Sequence, residues 1–306
     1  MHSLSPERQD DAPAALAKRR ARAIAAIIAA SATFALSATL VKLVGPAIPT
    51  AQMVLFRCAV VLAALSPLII RAGGIRTLRT RQPLWHAMRT LAGFGGMMTA
   101  FYGFVTLPLA EVTALGFTMP LFLTILSIPL LGEKVGIRRA GAVVVGFLGV
   151  LLILRPGASA VPLIPALVVV FGAVCWALAM IAIRRMGKLG ESNVTIVAWF
   201  SIVGTVLAGV LAIPVWVTPT LLQLAALVGV GLTSAVAQLL MTDAYRRGEP
   251  SIVAPFEYSG ILWTALIGFL LFDEQPSPTM FAGVAVLVAC GVYILHREVA
   301  VGQRGH

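Results

Sequence analysis

The chain repeats itself. At an offset of about 142 residues Phe34 falls on Trp176, Lys42 on Arg184, Gly45 on Gly187, Gly141 on Gly283, Gly149 on Gly291 and Arg155 on Arg297. Glu133 falls on Glu274 at 141. A doubling of this kind in an apolar chain constrains the fold strongly, because two copies of one helical unit must be placed against each other. If each copy holds an odd number of membrane spans, the copies insert in opposite orientations. An antiparallel pair can build a site that opens to either side of a bilayer.

The medium is a membrane. Hydrophobic residues make up 59% of the 306 residues, charged residues 11%, and the mean hydropathy is +0.96. Soluble domains carry about 25% charged residues. The net charge of +11 does not point to nucleic acid, because the basic residues lie between apolar runs and not on one face of a soluble domain. Cys58, Cys175 and Cys290 each sit inside an apolar run, an odd number with no metal-binding spacing. His2 and His306 are terminal, and His86 and His296 fall at expected membrane edges, so no metal or cofactor is expected.

Apolar runs predict helices at 23–43, 51–70, 85–106, 109–131, 139–155, 163–183, 193–213, 221–244, 251–272 and 278–295. With the N-terminus in the cytoplasm, inside segments hold 19 of the basic residues and outside segments only Arg155. Lys42, Arg57 and Arg89 lie within spans. That asymmetry follows the positive-inside rule. The expected fold is an all-α integral membrane protein, ten transmembrane helices arranged as two inverted five-helix repeats. The repeats are placed at 23–155 and 163–297, with a disordered cytoplasmic tail at 1–22 and a cytoplasmic C-terminal tail at 298–306. Trp85, Trp216 and Tyr293 sit near span ends, as interfacial anchors do.

The run L-P-L-A-E-V-T-A-L-G-F-T-M-P (107–120), then L-L-G-E-K-V-G-I-R-R (130–139), is echoed by E-P-S-I-V-A-P-F-E-Y (249–258) and L-F-D-E (271–274). With the glycine-bearing helices that follow each half, these runs resemble the EamA-type branch of the drug/metabolite transporter superfamily. The resemblance implies a carrier of the bacterial inner membrane for a small organic metabolite. The wording of 107–139 is most similar to members described as S-adenosylmethionine or riboflavin carriers, and amino-acid carriers share the pattern. The implied partners are a small-molecule substrate and membrane lipid.

Ionisable residues within a membrane are costly unless paired or wet, so each is a functional candidate. Glu257, Asp243 and Arg89 all fall in the inner half of their helices and could meet there as a coupling site. The plainer alternative is a neutralising pair of Arg89 with Glu257 or Asp243. Arg57 could grip a carboxylate or phosphate, or pair with Glu111. Lys42 is expected to snorkel, and Glu133 and Glu274 to cap the following helix or bond nearby arginines. Phe34 and Trp176 are repeat-matched rings at mid-depth, and Tyr102, Phe117, Trp263 and Tyr258 add rings that could stack on a planar or cationic ligand. Each could equally be packing. Pro120 should kink the fourth helix. Gly141, Gly146, Gly149, Gly283 and Gly291 allow close helix approach or a homodimer face. There is no H-E-x-x-H, G-x-S-x-G or Walker A pattern, so no catalytic residue is assigned. No filter motif or ring of charge suggests a channel.

Overall fold

The computed structural model describes residues 7–71, 73–74, 78–132, 135–154, 162–247 and 250–302. Arg76, Glu133, Lys134, Arg155, Pro156 and Glu249 lie outside them. Among the described residues there is no strand. The helices are α1 (Glu7–Val44), α2 (Thr50–Arg71), α3 (Pro83–Thr106), α4 (Leu109–Gly116), α5 (Met119–Leu131), α6 (Ile137–Leu154), α7 (Leu163–Lys188), α8 (Asn193–Ala212), α9 (Leu221–Arg247), α10 (Pro250–Val253), α11 (Ser259–Phe272) and α12 (Pro278–Gly302). A 3₁₀ turn, Ala254–Tyr258, joins α10 to α11.

Two expectations change. The segment expected as a disordered tail is helical from Glu7, because its Ala-, Arg- and Lys-rich sequence consists largely of good helix formers that continue into the first apolar run. The fourth and ninth helices are interrupted. Pro120 does not kink a continuous helix; it lies in the first turn of a new one, α5, where its missing N–H costs nothing. Pro255 opens the 3₁₀ turn in the same way.

Eight helical segments among the described residues are long and apolar enough to cross a bilayer. The 24-residue α3 is long enough but more polar, since it carries His86, Arg89 and Thr90. The apolar part of α12 described, Pro278–Ile294, is shorter. Outward-facing apolar side chains such as Leu221, Leu222, Val144, Phe171 and Leu270 stay exposed, as a lipid-facing surface requires.

The halves interlock. α1 packs along α9, α3 along α7, α2 along α8 and α6 along α12. Exchanging the repeats turns the α1–α9 contact into the α7–α3 contact and maps the other two onto themselves. Small residues make these approaches possible. Ala23 and Ala30 of α1 lie with Ala244 of α9 in one buried cluster, and Ser37 is 3.0 Å from Ser234 across the same seam. Where α6 crosses α12, a Cβ on Gly149 would come within 2.9 Å of the Gly283 carbonyl, so packing within the chain occupies these glycines. One apolar core draws on α4, α5, α6, α7, α11 and α12, and another on α1, α2, α3, α8 and α9. Both mix the two repeats, so neither repeat has a core of its own.

Candidate functional site

The interruptions occupy matched places in the two repeats. Phe117 caps α4 and Tyr258 closes the 3₁₀ turn, one repeat offset of 141 apart. Their rings meet with centroids 4.5 Å apart and planes tilted by 40°. A helix broken inside a membrane exposes backbone groups that must be satisfied by protein, water or cargo. The Tyr258 hydroxyl lies against Gly291 of α12, where any Cβ would collide with it.

Glu257 precedes Tyr258 in the turn. Its Oε1 accepts a hydrogen bond of 2.5 Å from the Tyr245 hydroxyl of α9, and its carbonyl accepts one of 3.3 Å from Ser31 of α1. One carboxylate residue thus ties three elements at the break. Two further polar groups follow on α11. Ser259 Oγ and Trp263 Nε1, one turn apart, are shielded from solvent and have no hydrogen-bond partner among the described residues. Such orphaned groups are costly unless a ligand or water meets them. A hollow of about 330 Å³, lined by Tyr258, Ser259, Ile261, Phe281 and Val284 among others, opens beside the turn.

The expected meeting of Glu257, Asp243 and Arg89 does not occur. Asp243 pairs with Arg247 on its own helix at 2.6 Å, and both side chains are more than 40% exposed. Arg89 turns the other way, toward α8, where its guanidinium lies 4.0 Å from the centre of the Phe200 ring. Counting residues along each span puts these side chains at a common height, but their directions around the helices diverge. Arg57 of α2 is half-buried.

Lys42 does not snorkel. Its Nζ lies 2.7 Å from Glu274 Oε1 and donates to the Leu107 carbonyl at 2.6 Å. Glu274 Oε2 in turn accepts from the Leu107–Leu109 turn at the Leu109 N–H, 2.8 Å away. Glu274 therefore caps α4, not the α12 that follows it. At the opposite end of the bundle Glu191 accepts from Thr80 at 2.8 Å and faces His86 at 3.8 Å.

Of the expected ring residues, only Phe117 and Tyr258 touch one another. The Trp176 indole packs over Gly96 of α3, where a Cβ would come within 2.9 Å of Cδ1. Phe34 and Tyr102 are half-buried and make no ring contact among the described residues. Cys58, Cys175 and Cys290 are free and buried. The described residues contain no group of His, Cys, Asp and Glu that could hold a metal. Tyr245 and Ser259 were missed by sequence reasoning. The available signal was height: Tyr245 lies near the same end of α9 that Glu257 occupies on its own span.

A duplicated, interlocked helical bundle with matched broken helices and buried ionisable groups is the architecture of a membrane transporter. The chain belongs to the EamA-like transporter family, whose pattern matches residues 21–155 and again 163–297. It is similar to an S-adenosylmethionine uptake transporter of Rickettsia bellii, 27% identical over 84% of this chain and 87% of that protein. A riboflavin transporter of Vibrio cholerae is 30% identical over 84% and 86% of the two chains. The pseudopaline exporter CntI of Pseudomonas aeruginosa is 31% identical over 86% and 92%. A crystal structure at 21% identity superposes with a TM-score of 0.60, covering 92% of this chain and 99% of the other, and shares the fold.

Proposed function

We propose that the protein is a secondary transporter that moves a small organic metabolite across the bacterial inner membrane by alternating access. In this reading ten spans form two inverted five-helix repeats, with both termini cytoplasmic. The observation that carries it is the Phe117–Tyr258 contact at the matched helix breaks. A site that joins repeat-equivalent interruptions sits where two halves rocking past each other would expose it alternately. Exchange-symmetric packing of α1 on α9 and α3 on α7 supports the inverted arrangement. The relatives support an S-adenosylmethionine- or riboflavin-like cargo, and an amino-acid-like one stays within the same reading. They include both an uptake transporter and an exporter, so the direction of transport follows from experiment.

Glu257 is the coupling residue in this scheme. It sits at the broken turn with one short hydrogen bond, so its protonation can be linked to movement of α9 against α11. The test is uptake of labelled S-adenosylmethionine into proteoliposomes, with unlabelled riboflavin, amino acids and nucleotides as competitors, with and without a proton gradient. Saturable uptake blocked by one competitor class is expected. Glu257→Gln should abolish the response to the gradient, and an unchanged response removes Glu257 from the coupling role.

A further inference from the structure

We infer that Arg57 and Arg89 together form a binding subsite for the anionic group, carboxylate or phosphate, of the transported molecule, between α2, α3 and α8. The inference rests on the transporter reading and narrows its cargo to an anionic or zwitterionic metabolite.

Arg89 is only 9% exposed, and its Nε and Nη1 have no hydrogen-bond partner among the described residues. A buried guanidinium carries five donors that need acceptors. Glu257, Asp243, Glu191 and Glu274 are each engaged elsewhere. Among the described residues Phe200 lies against Arg89, and its ring face orients the guanidinium without accepting its hydrogen bonds. Gly93, one turn along α3, leaves the notch in which that guanidinium lies, since a Cβ there would strike Nη1.

The second charge makes this more than a stray arginine. Arg57 lies about 10 Å along α2 from Thr50, and Arg89 about 9 Å along α3 from Pro83, so they approach mid-depth from opposite ends. Cys58, the next residue along α2, lies with Phe94 and Phe200 in one buried cluster, and Arg89 lies over Phe200, so the two arginines flank the same packed region. A buried guanidinium with unmet donors and a second positive charge near it is unfavourable within a membrane protein until an anion lies between the two. The repeat shows that the fold does not need them. At the offset of 142 the counterpart of Arg57 is Trp199 and that of Arg89 is Gly231, both uncharged. Symmetric packing is therefore achieved without charge, and the arginines depart from it only in the first repeat.

The test uses the full chain in detergent. Its Tm is followed against millimolar L-glutamate, citrate and inorganic phosphate, with chloride at matched ionic strength as reference. A saturating rise in Tm is expected with the carboxylates, with phosphate, or with both, and the arms tell these sources apart. Arg57→Gln and Arg89→Gln should each raise the half-saturating concentration by about tenfold or more. Arg89→Lys, which keeps the charge and loses the fork, should weaken it less. Without anion, Arg89→Gln should leave Tm unchanged or raise it, because it removes an unpaired buried charge. No rise with any anion, an equal rise in the Gln variants, or a lower anion-free Tm in Arg89→Gln overturns the inference. If labelled cargo crosses proteoliposomes while anions leave Tm unmoved, the transporter reading stands and this subsite falls. If anions bind through both arginines and no cargo crosses, the reverse holds.

Discussion

Three acidic residues, Asp243, Glu257 and Glu274, show how little a charge in an apolar run says until its partner is known. Asp243 and Arg247 form an exposed i,i+4 pair. Such exposed pairs are screened by solvent and contribute little, so Asp243→Asn should leave both Tm and transport nearly unchanged. Glu274 holds both a lysine and a helix N-terminus, with its side chain 10% exposed. Glu274→Ala strands Lys42 and the Leu109 N–H together, and should cost about 2–3 kcal/mol. Thermal unfolding of the two variants side by side checks the contrast; similar losses would mean that the surface pair is worth more than its exposure allows. Sequence gave the height of each of these groups, since a helix rises by a fixed step per residue. It did not give the rotation of each helix about its axis, which selects partners. That is why Arg89 was expected beside Glu257 and instead lies on Phe200.

At the scale of elements, the duplicated sequence writes the same helix end twice with different residues. α5 stops at Gly132 with φ of 69°, and α11 stops at Asp273 with φ of 53°. Both are left-handed caps, matched at the same offset as Glu133 and Glu274. Glycine adopts this conformation freely, whereas a residue with a Cβ is strained in it. Asp273→Gly should therefore stabilise the protein by about 1 kcal/mol. Gly132→Ala should destabilise it by a similar amount through the backbone alone, because no atom lies within 4 Å of where the Cβ would stand. Opposite shifts of Tm in the two variants are the expected result, and shifts of the same sign would mean that the caps are not equivalent. The repeat was legible in the sequence; the left-handed caps at Gly132 and Asp273 emerge only with the backbone. The interruptions were legible only in part. Pro120 and Pro255 mark new helix starts, but a proline inside an apolar run reads equally as a kink, and the residues that end the preceding helix, Gly116 and Phe117, carry no breaking signal strong enough to decide.

At the scale of the molecule, the interlocking of the repeats decides which contacts can change during transport. α1 with α9 and α3 with α7 each join one helix from either half. Rocking must slide or open such seams at one end while the other closes. Lys42 and Glu274 bridge the halves at one end, where α1 finishes and α11 gives way to α12. On the proposed orientation this is the end away from the cytoplasm, and the bridge must part whenever the site opens there. A variant carrying Lys42→Cys and Glu274→Cys, joined through two disulfides by a short bis-methanethiosulfonate linker, should lose transport and regain it when the disulfides are reduced. The native Cys58, Cys175 and Cys290 are buried and stay out of the reaction, or can be replaced by alanine as a control. The unlinked double variant separates the two effects of the change: loss of the ion pair lowers stability but leaves the halves free to part. Transport that continues with the link in place would mean that these two ends never separate, and would move the opening to another seam of the bundle.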